Sequence, residues 1–314
     1  MPAAMLQTFA IVAVLAGCAT ELQQVKDGTT ACGPVDAGPA REFRHAGSEV
    51  TTSLGEPRHR GADLIASTTG PQFVEGWIAY TAADKALEDE DVDVLACSDG
   101  AWQPLGTVRT NEEGHFSLAV QLAPGLHDLY VSVAGDRSGV AMLGYVGDAI
   151  VISDVDGTLT ASESAFIETL LGGENPGAQP GAADMFAAAA ARGLQVVYLT
   201  ARGNQYTEAT RSWLASRGFP KGPLRLASSF ATLPGDATAA FKSHAIEALG
   251  VPVVAAIGNR ASDITAYAAA GTAADRIYIK LPEYQSEVQG ALAAGEAKGF
   301  NDYASLQGLI ETSW

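Results

Sequence analysis

The sequence predicts an α/β protein: a Rossmann-like parallel sheet with helices on both faces, preceded by a small β-sandwich. Three observations predict it. The 314 residues suffice for two domains. From Phe73 to Val146, β-prone segments alternate with Gly-containing turns. From Ala149 onward, short apolar runs alternate with helical stretches that end at Gly or Pro.

Taken in order, residues Met5 to Ala16 form an apolar run of signal-peptide length, too short to span a bilayer. The run ends in Leu15-Ala16-Gly17-Cys18, which resembles the lipobox of bacterial lipoproteins. The resemblance implies a signal peptide over residues 1–17 and a lipid anchor on the thiol of Cys18. It also implies a place in the bacterial cell envelope, on the periplasmic or extracellular face. Residues 18–70, rich in Gly, Thr, Ala and Pro and without a sustained period, read as a tether. Export would put Cys32 and Cys97 in an oxidising compartment, where cysteines pair; sequence alone does not bring them together.

Residues 71–147 are predicted as the sandwich. Phe73 to Tyr80, Val92 to Cys97, Trp102 to Arg109, His115 to Val120 and Leu126 to Val133 read as strands. The Thr110-Asn111-Glu112-Glu113-Gly114 turn predicts a hairpin between the third and fourth. His115 and His127 read as structural or surface residues, because no Cys/His cluster surrounds them. Residues 148–314 are predicted as the α/β domain. Ala149-Ile150-Val151-Ile152, Gln195 to Leu199, Val251 to Ile257 and Arg276 to Ile279 are its strands. Ala182 to Ala191, stopped by Gly193, and Thr207 to Arg217, ended by Gly218 and Pro220, are its helices, with helical cover from Tyr284 to Ile310.

The formal net charge is −17. No basic stretch offsets it, which excludes nucleic acid as a partner.

Candidate chemistry falls just past the strand ends, where open α/β sheets bind ligands. In Ser153-Asp154-Val155-Asp156-Gly157-Thr158, two carboxylates follow a buried strand and Gly157 permits a sharp return. One carboxylate can attack phosphorus and the other can handle the leaving-group proton. Thr200, ending a strand, can hold phosphate oxygens, and Lys242 can neutralise their charge. Asn259 and Asp263, in Gly258-Asn259-Arg260-Ala261-Ser262-Asp263, offer hard oxygen ligands suited to Mg2+. Taken singly, these read as a solvated turn, a helix cap, a surface lysine and a capped helix start.

In this order the four motifs resemble the haloacid dehalogenase superfamily. The resemblance implies Asp154 as nucleophile, Asp156 as general acid/base, and Thr200 and Lys242 as phosphate ligands. It also implies Mg2+ held by Asp154, the Asp156 carbonyl, Asn259 and Asp263. With Tyr198-Leu199-Thr200-Ala201-Arg202, Phe219-Pro220-Lys221-Gly222-Pro223-Leu224, Phe241-Lys242 and Ala266-Tyr267, the stretch from Ile150 to Lys280 is similar to the catalytic half of the lipins. Those are Mg2+-dependent phosphatidate phosphatases that pair an immunoglobulin-like sandwich with the catalytic domain. The short segment between the first two motifs leaves no room for a large cap. The basic amphipathic helix of lipins has no counterpart, and on this reading the anchor at Cys18 takes its place at the membrane. The resemblance implies a phospholipid substrate, phosphatidate giving diacylglycerol. A small soluble phosphomonoester, or binding of phosphatidate without hydrolysis, are the alternatives.

Overall fold

A computed structural model describes residues 31–162, 176–228, 236–312 and 314. Cys18 and the signal-peptide and anchor readings lie outside the described residues.

Ten short strands come first: β1 (Arg60–Ala62), β2 (Leu64–Ala66), β3 (Phe73–Trp77), β4 (Ala79–Tyr80), β5 (Lys85–Ala86), β6 (Asp91–Ser98), β7 (Ala101–Arg109), β8 (His115–Ala119), β9 (Gly125–Val133) and β10 (Gly139–Val146). One sheet has the order β2-β10-β9-β6-β7, a second β1-β3-β8, and β4 pairs with β5 apart from both. Val92, Val94 and Ala96 of β6 and Leu129, Val131 and Val133 of β9 alternate inward. They meet Val74 of β3 and Phe116 of β8 in a single sandwich core.

Two expectations change here. The stretch read as a tether holds a helix, Ala46–Ser53, and both β1 and β2. Three-residue strands are too short for a period to register. Residues 31–45 are tied to the sandwich by specific partners instead. The buried Glu90 carboxylate accepts the backbone N–H groups of Arg44 (2.9 Å) and His45 (3.0 Å). The Trp102 indole donates to the Gly33 carbonyl at 3.0 Å, and Cys32 forms a disulfide with Cys97. The predicted hairpin is also absent: β7 and β8 belong to different sheets. Asn111 Oδ1 accepts from the backbone N–H of Glu113 and His115, and Gly114 takes φ of 79°. This tight turn carries the chain from one sheet to the other, and alternating strands suit either arrangement.

The second half is the α/β domain. β11 (Ile150–Asp154), β12 (Gln195–Gly203), β13 (Leu224–Ala227), β14 (Val253–Gly258), β15 (Ile277–Lys280) and β16 (Lys298–Phe300) form one sheet in the order β13-β12-β11-β14-β15-β16. Every pairing in it is parallel. Side chains alternate across it. Val151, Val196, Tyr198 and Ile257 face the helices Ala182–Ala191, Thr207–Ser216 and Ala304–Thr312. Ile150, Ile152, Val197 and Leu199 face Asp236–Glu247, Ala261–Ala269 and Gln285–Ala293. This is the predicted fold class. β16 interrupts the predicted helical cover; with Phe300 its one apolar residue, it offers no apolar run to read.

The domains meet along a seam. Asp63, between β1 and β2, is 1% exposed. It accepts the backbone N–H of Leu143 at 2.8 Å within the sandwich. From the α/β domain it accepts the N–H of Leu224 at 2.8 Å and the Arg211 guanidinium at 3.1 Å. Ile65 and Tyr145 add apolar contact with the cluster around Ile150 and Ile152.

Candidate active site

The site begins with β11, the strand at the middle of the sheet, whose five residues are all buried. Its register places Asp154 beside Leu199 of β12, and Ser153 beside Ile257 of β14. The tips of both neighbours therefore flank Asp154. Beyond it, Gly157 takes φ of 70°, a left-handed conformation that a side chain would strain. The Gly157 N–H donates to Thr160 Oγ1 at 2.8 Å, and the Leu159 and Thr160 amides donate to the Val155 carbonyl. The Tyr303 hydroxyl donates to the Thr158 carbonyl at 2.7 Å. The loop bearing both carboxylates is thus fixed by its own hydrogen bonds.

Two clusters form around this loop. In the first, the Lys242 ammonium donates to Asp154 Oδ1 and to Asp263 Oδ1, each at 2.5 Å. The Thr158 hydroxyl donates to the other Asp154 oxygen at 2.8 Å. Burial alone would push the Lys242 pKa down, but the carboxylates of Asp154 and Asp263 outweigh it and hold it above the usual lysine value. Asp263 Oδ2 accepts the backbone N–H groups of Asn259 (2.9 Å) and Arg260 (3.0 Å). The carboxylate therefore fixes the start of the helix Ala261–Ala269 and the position of Asn259, which is 1% exposed.

In the second cluster, Asp156 Oδ2 accepts the Thr200 hydroxyl at 2.8 Å. The Arg202 guanidinium donates through Nε to both Asp156 oxygens at 3.1 Å and through Nη2 to Oδ1 at 2.5 Å. Arg202 Nη1 is tied back to Thr210 Oγ1 at 3.0 Å.

The structure thus joins Asp154, Lys242 and Asp263 directly and brings Asn259 in through Asp263. Thr200 reaches Asp156. Among the described residues no three His, Cys, Asp or Glu side chains form a metal cluster. Two participants had no role assigned from sequence: Thr158 and Arg202. The signal for Arg202 was present, since strand residues two apart share a face and Thr200 already pointed to the site. His115 and His127 take no part: one stacks on Trp77, and the other bonds to the Ala123 carbonyl at 2.8 Å.

Comparison with known proteins agrees with this two-part layout. Residues 57–146 match the family model for the PITM 1-3 beta-sandwich domain, and residues 151–280 match that for the PITM 1-3 LNS2 domain. Membrane-associated phosphatidylinositol transfer protein 3 of Mus musculus is 28% identical over 289 residues, covering 86% of this chain and 28% of its own length. That of Homo sapiens is 28% identical over 269 residues, covering 81% of this chain and 27% of its own. The chain therefore spans little more than a quarter of the curated relatives it matches. Among solved structures, the cobalt-bound deoxy-D-mannose-octulosonate 8-phosphate phosphatase from Haemophilus influenzae overlaps with a TM-score of 0.35. It is 16% identical and covers 52% of this chain and 87% of its own. By the two family models, the chain carries in succession a β-sandwich similar to that of PITM 1-3 and an α/β domain similar to their LNS2 domain.

Proposed function

We propose that this protein is a Mg2+-dependent phosphomonoester hydrolase that works through an aspartyl phosphate on Asp154, with phosphatidate as its substrate. The observation that carries the proposal is the Lys242 ammonium held between Asp154 and Asp263, each at 2.5 Å, one turn of loop away from Asp156. A buried cation beside a buried carboxylate nucleophile is what a transferring phosphoryl group requires.

In the first step an Asp154 carboxylate oxygen bonds to phosphorus while the bond to the leaving alcohol breaks. Asp156, in its protonated form, gives that alkoxide its proton. In the second step Asp156, now ionised, takes a proton from water. The water oxygen bonds to phosphorus, the acyl-phosphate bond breaks, and Asp154 and inorganic phosphate are released. Lys242 and the Thr158 hydroxyl orient Asp154, and Thr200 and Arg202 orient Asp156. The donors available to a metal are the Asp154 carboxylate, the Asp156 carbonyl and the Asn259 side chain, with Asp263 behind them. All are hard oxygens with no thiolate or imidazole, a set that fits Mg2+. Bound there, Mg2+ would add charge neutralisation at the phosphoryl oxygens.

Phosphatidate as substrate is supported by the lipin-like motifs and by the similarity to lipid transfer proteins. A lipid anchor at Cys18 would hold the domain at the bacterial envelope, and the Cys32–Cys97 disulfide suits an oxidising compartment there. A second reading, phosphatidate binding without turnover, is favoured by the Arg202 pairing, which keeps the Asp156 carboxylate engaged. Phosphate release with and without Mg2+, from phosphatidate in mixed micelles and from soluble phosphomonoesters, tests the proposal. Mg2+-dependent release from phosphatidate is expected. Release only from soluble esters would move the substrate, and no release from either would favour the binding reading.

A further inference from the structure

We infer that the cleft at the seam between the sandwich and the α/β domain is a second anion site, separate from Asp154 and Asp156, that takes a phosphate-bearing ligand. The cleft has a volume of about 580 Å3. That is within the range of small-molecule sites and more than a bare phosphate needs. Arg60, Trp77 and Arg109 line it from the sandwich, Arg225 and Asn204 from the α/β domain. Three arginines therefore line a space with one carboxylate, Glu75, in a chain with 19 basic and 36 acidic residues; the Arg60 guanidinium is already paired with Asp84, which leaves Arg109 and Arg225 to meet a ligand.

Arg225 makes the strongest case. Its Nη1 is buried and has no hydrogen-bond partner among the described residues. Burial pushes its pKa below the usual arginine range, while Asp63 and Glu75 pull the other way. Asp63 cannot compensate it fully, because both Asp63 oxygens already accept from Arg211 and each takes a backbone amide as well. Glu75 accepts from Ser117 at 3.0 Å. A buried guanidinium short of acceptors is met by an incoming phosphate, which offers several oxygens in matching geometry. Arg109 is only loosely engaged, 3.7 Å from Asp89 and 3.6 Å from Asp91. The Trp77 ring, 4.7 Å beneath the Arg60 guanidinium, supplies an apolar wall for the remainder of the ligand. Asn204 and Ser228 follow the ends of β12 and β13, so the cleft opens at the same edge of the sheet as the acidic pair.

The shared chemistry, a phosphate monoester, can come from a lipid headgroup or from solution. The test measures equilibrium binding to the full chain carrying Asp154→Asn, so that turnover does not enter. The probes are inorganic phosphate, phosphatidylcholine vesicles containing phosphatidate, and phosphatidylcholine vesicles alone. Adding Arg225→Gln or Arg109→Gln is expected to weaken binding of phosphate, of phosphatidate vesicles, or of both by about tenfold, the worth of one charge-assisted hydrogen bond. Loss with phosphate assigns a soluble ligand, and loss with vesicles alone assigns a headgroup. Far-UV circular dichroism reports folding; if Arg225→Gln does not fold, Arg109→Gln decides, its side chain being 57% exposed. Undiminished binding of both phosphate and phosphatidate vesicles by the folded variants overturns the inference; equal binding to vesicles lacking phosphatidate excludes only the headgroup as the source.

Discussion

His59 illustrates how one buried ring makes stability depend on pH. Its Nε2 lies 2.8 Å from Ser138 Oγ, and its ring meets Tyr80 edge-on at 5.0 Å. Burial pushes its pKa from 6.5 down to about 4, with Asp136 pulling it back up. The unfolded chain therefore binds a proton that the folded chain refuses between those values. Stability is fully present above pH 6.5 and falls as the pH drops towards 4, by roughly 3 kcal/mol at most. Urea unfolding at pH 7 and pH 4.5 measures this, and His59→Gln is expected to flatten the dependence. Arg202 makes a residue-scale prediction about rate. If it positions Asp156, Arg202→Gln lowers kcat by roughly 10- to 100-fold with a smaller change in KM, the range expected for a misplaced general acid/base. Steady-state phosphate release by the folded variant checks it; an unchanged kcat would leave the pairing a purely structural contact.

The turn from β14 into the helix Ala261–Ala269 works because its backbone and Asp263 lie almost in contact. A Cβ added at Gly258 would come within 2.5 Å of the Asp263 carboxylate, which holds both Lys242 and the Asn259 amide. Gly258→Ala is therefore expected to cost about 1–3 kcal/mol and to displace Asp263, with a lower Tm by calorimetry and weaker catalysis together. Elements of this kind were partly legible in the sequence. β11, β12 and β14 announce themselves as apolar runs, and the residues after each run are the ones that converge. Asp154, Lys242 and Asp263 are accordingly legible in the sequence, and the structure joins them. Asp263 is legible both as a metal ligand and as part of a capped helix start, and the cap is what its hold on the Asn259 and Arg260 amides forms. The Arg202–Asp156 pair depends on how β12 lies against β11, which neither segment encodes alone. β1, β2 and β16 are not legible because three residues carry no period, and the turn at Gly114 departs from the expected hairpin because alternation does not say which sheet a strand joins.

At the scale of the molecule, the seam is organised by one carboxylate. Asp63 bonds to β10 of the sandwich, to β13 of the α/β domain and to Arg211. Asp63→Ala leaves two amides and a guanidinium without their acceptor, and is expected to cost about 3–5 kcal/mol. Denaturant unfolding should then show the two domains melting separately; a single transition of unchanged midpoint would contradict that role. The same seam carries β13 and the end of β12, so its integrity bears on the neighbouring loop that carries Asp156. The central claim is that this whole framework presents Asp154 to phosphorus. The most direct measurement is phosphate release from phosphatidate in mixed micelles by the folded Asp154→Asn variant beside the unaltered chain, in Mg2+. Release by the unaltered chain and its abolition in Asp154→Asn is the predicted result. Release at an undiminished rate by Asp154→Asn would contradict it.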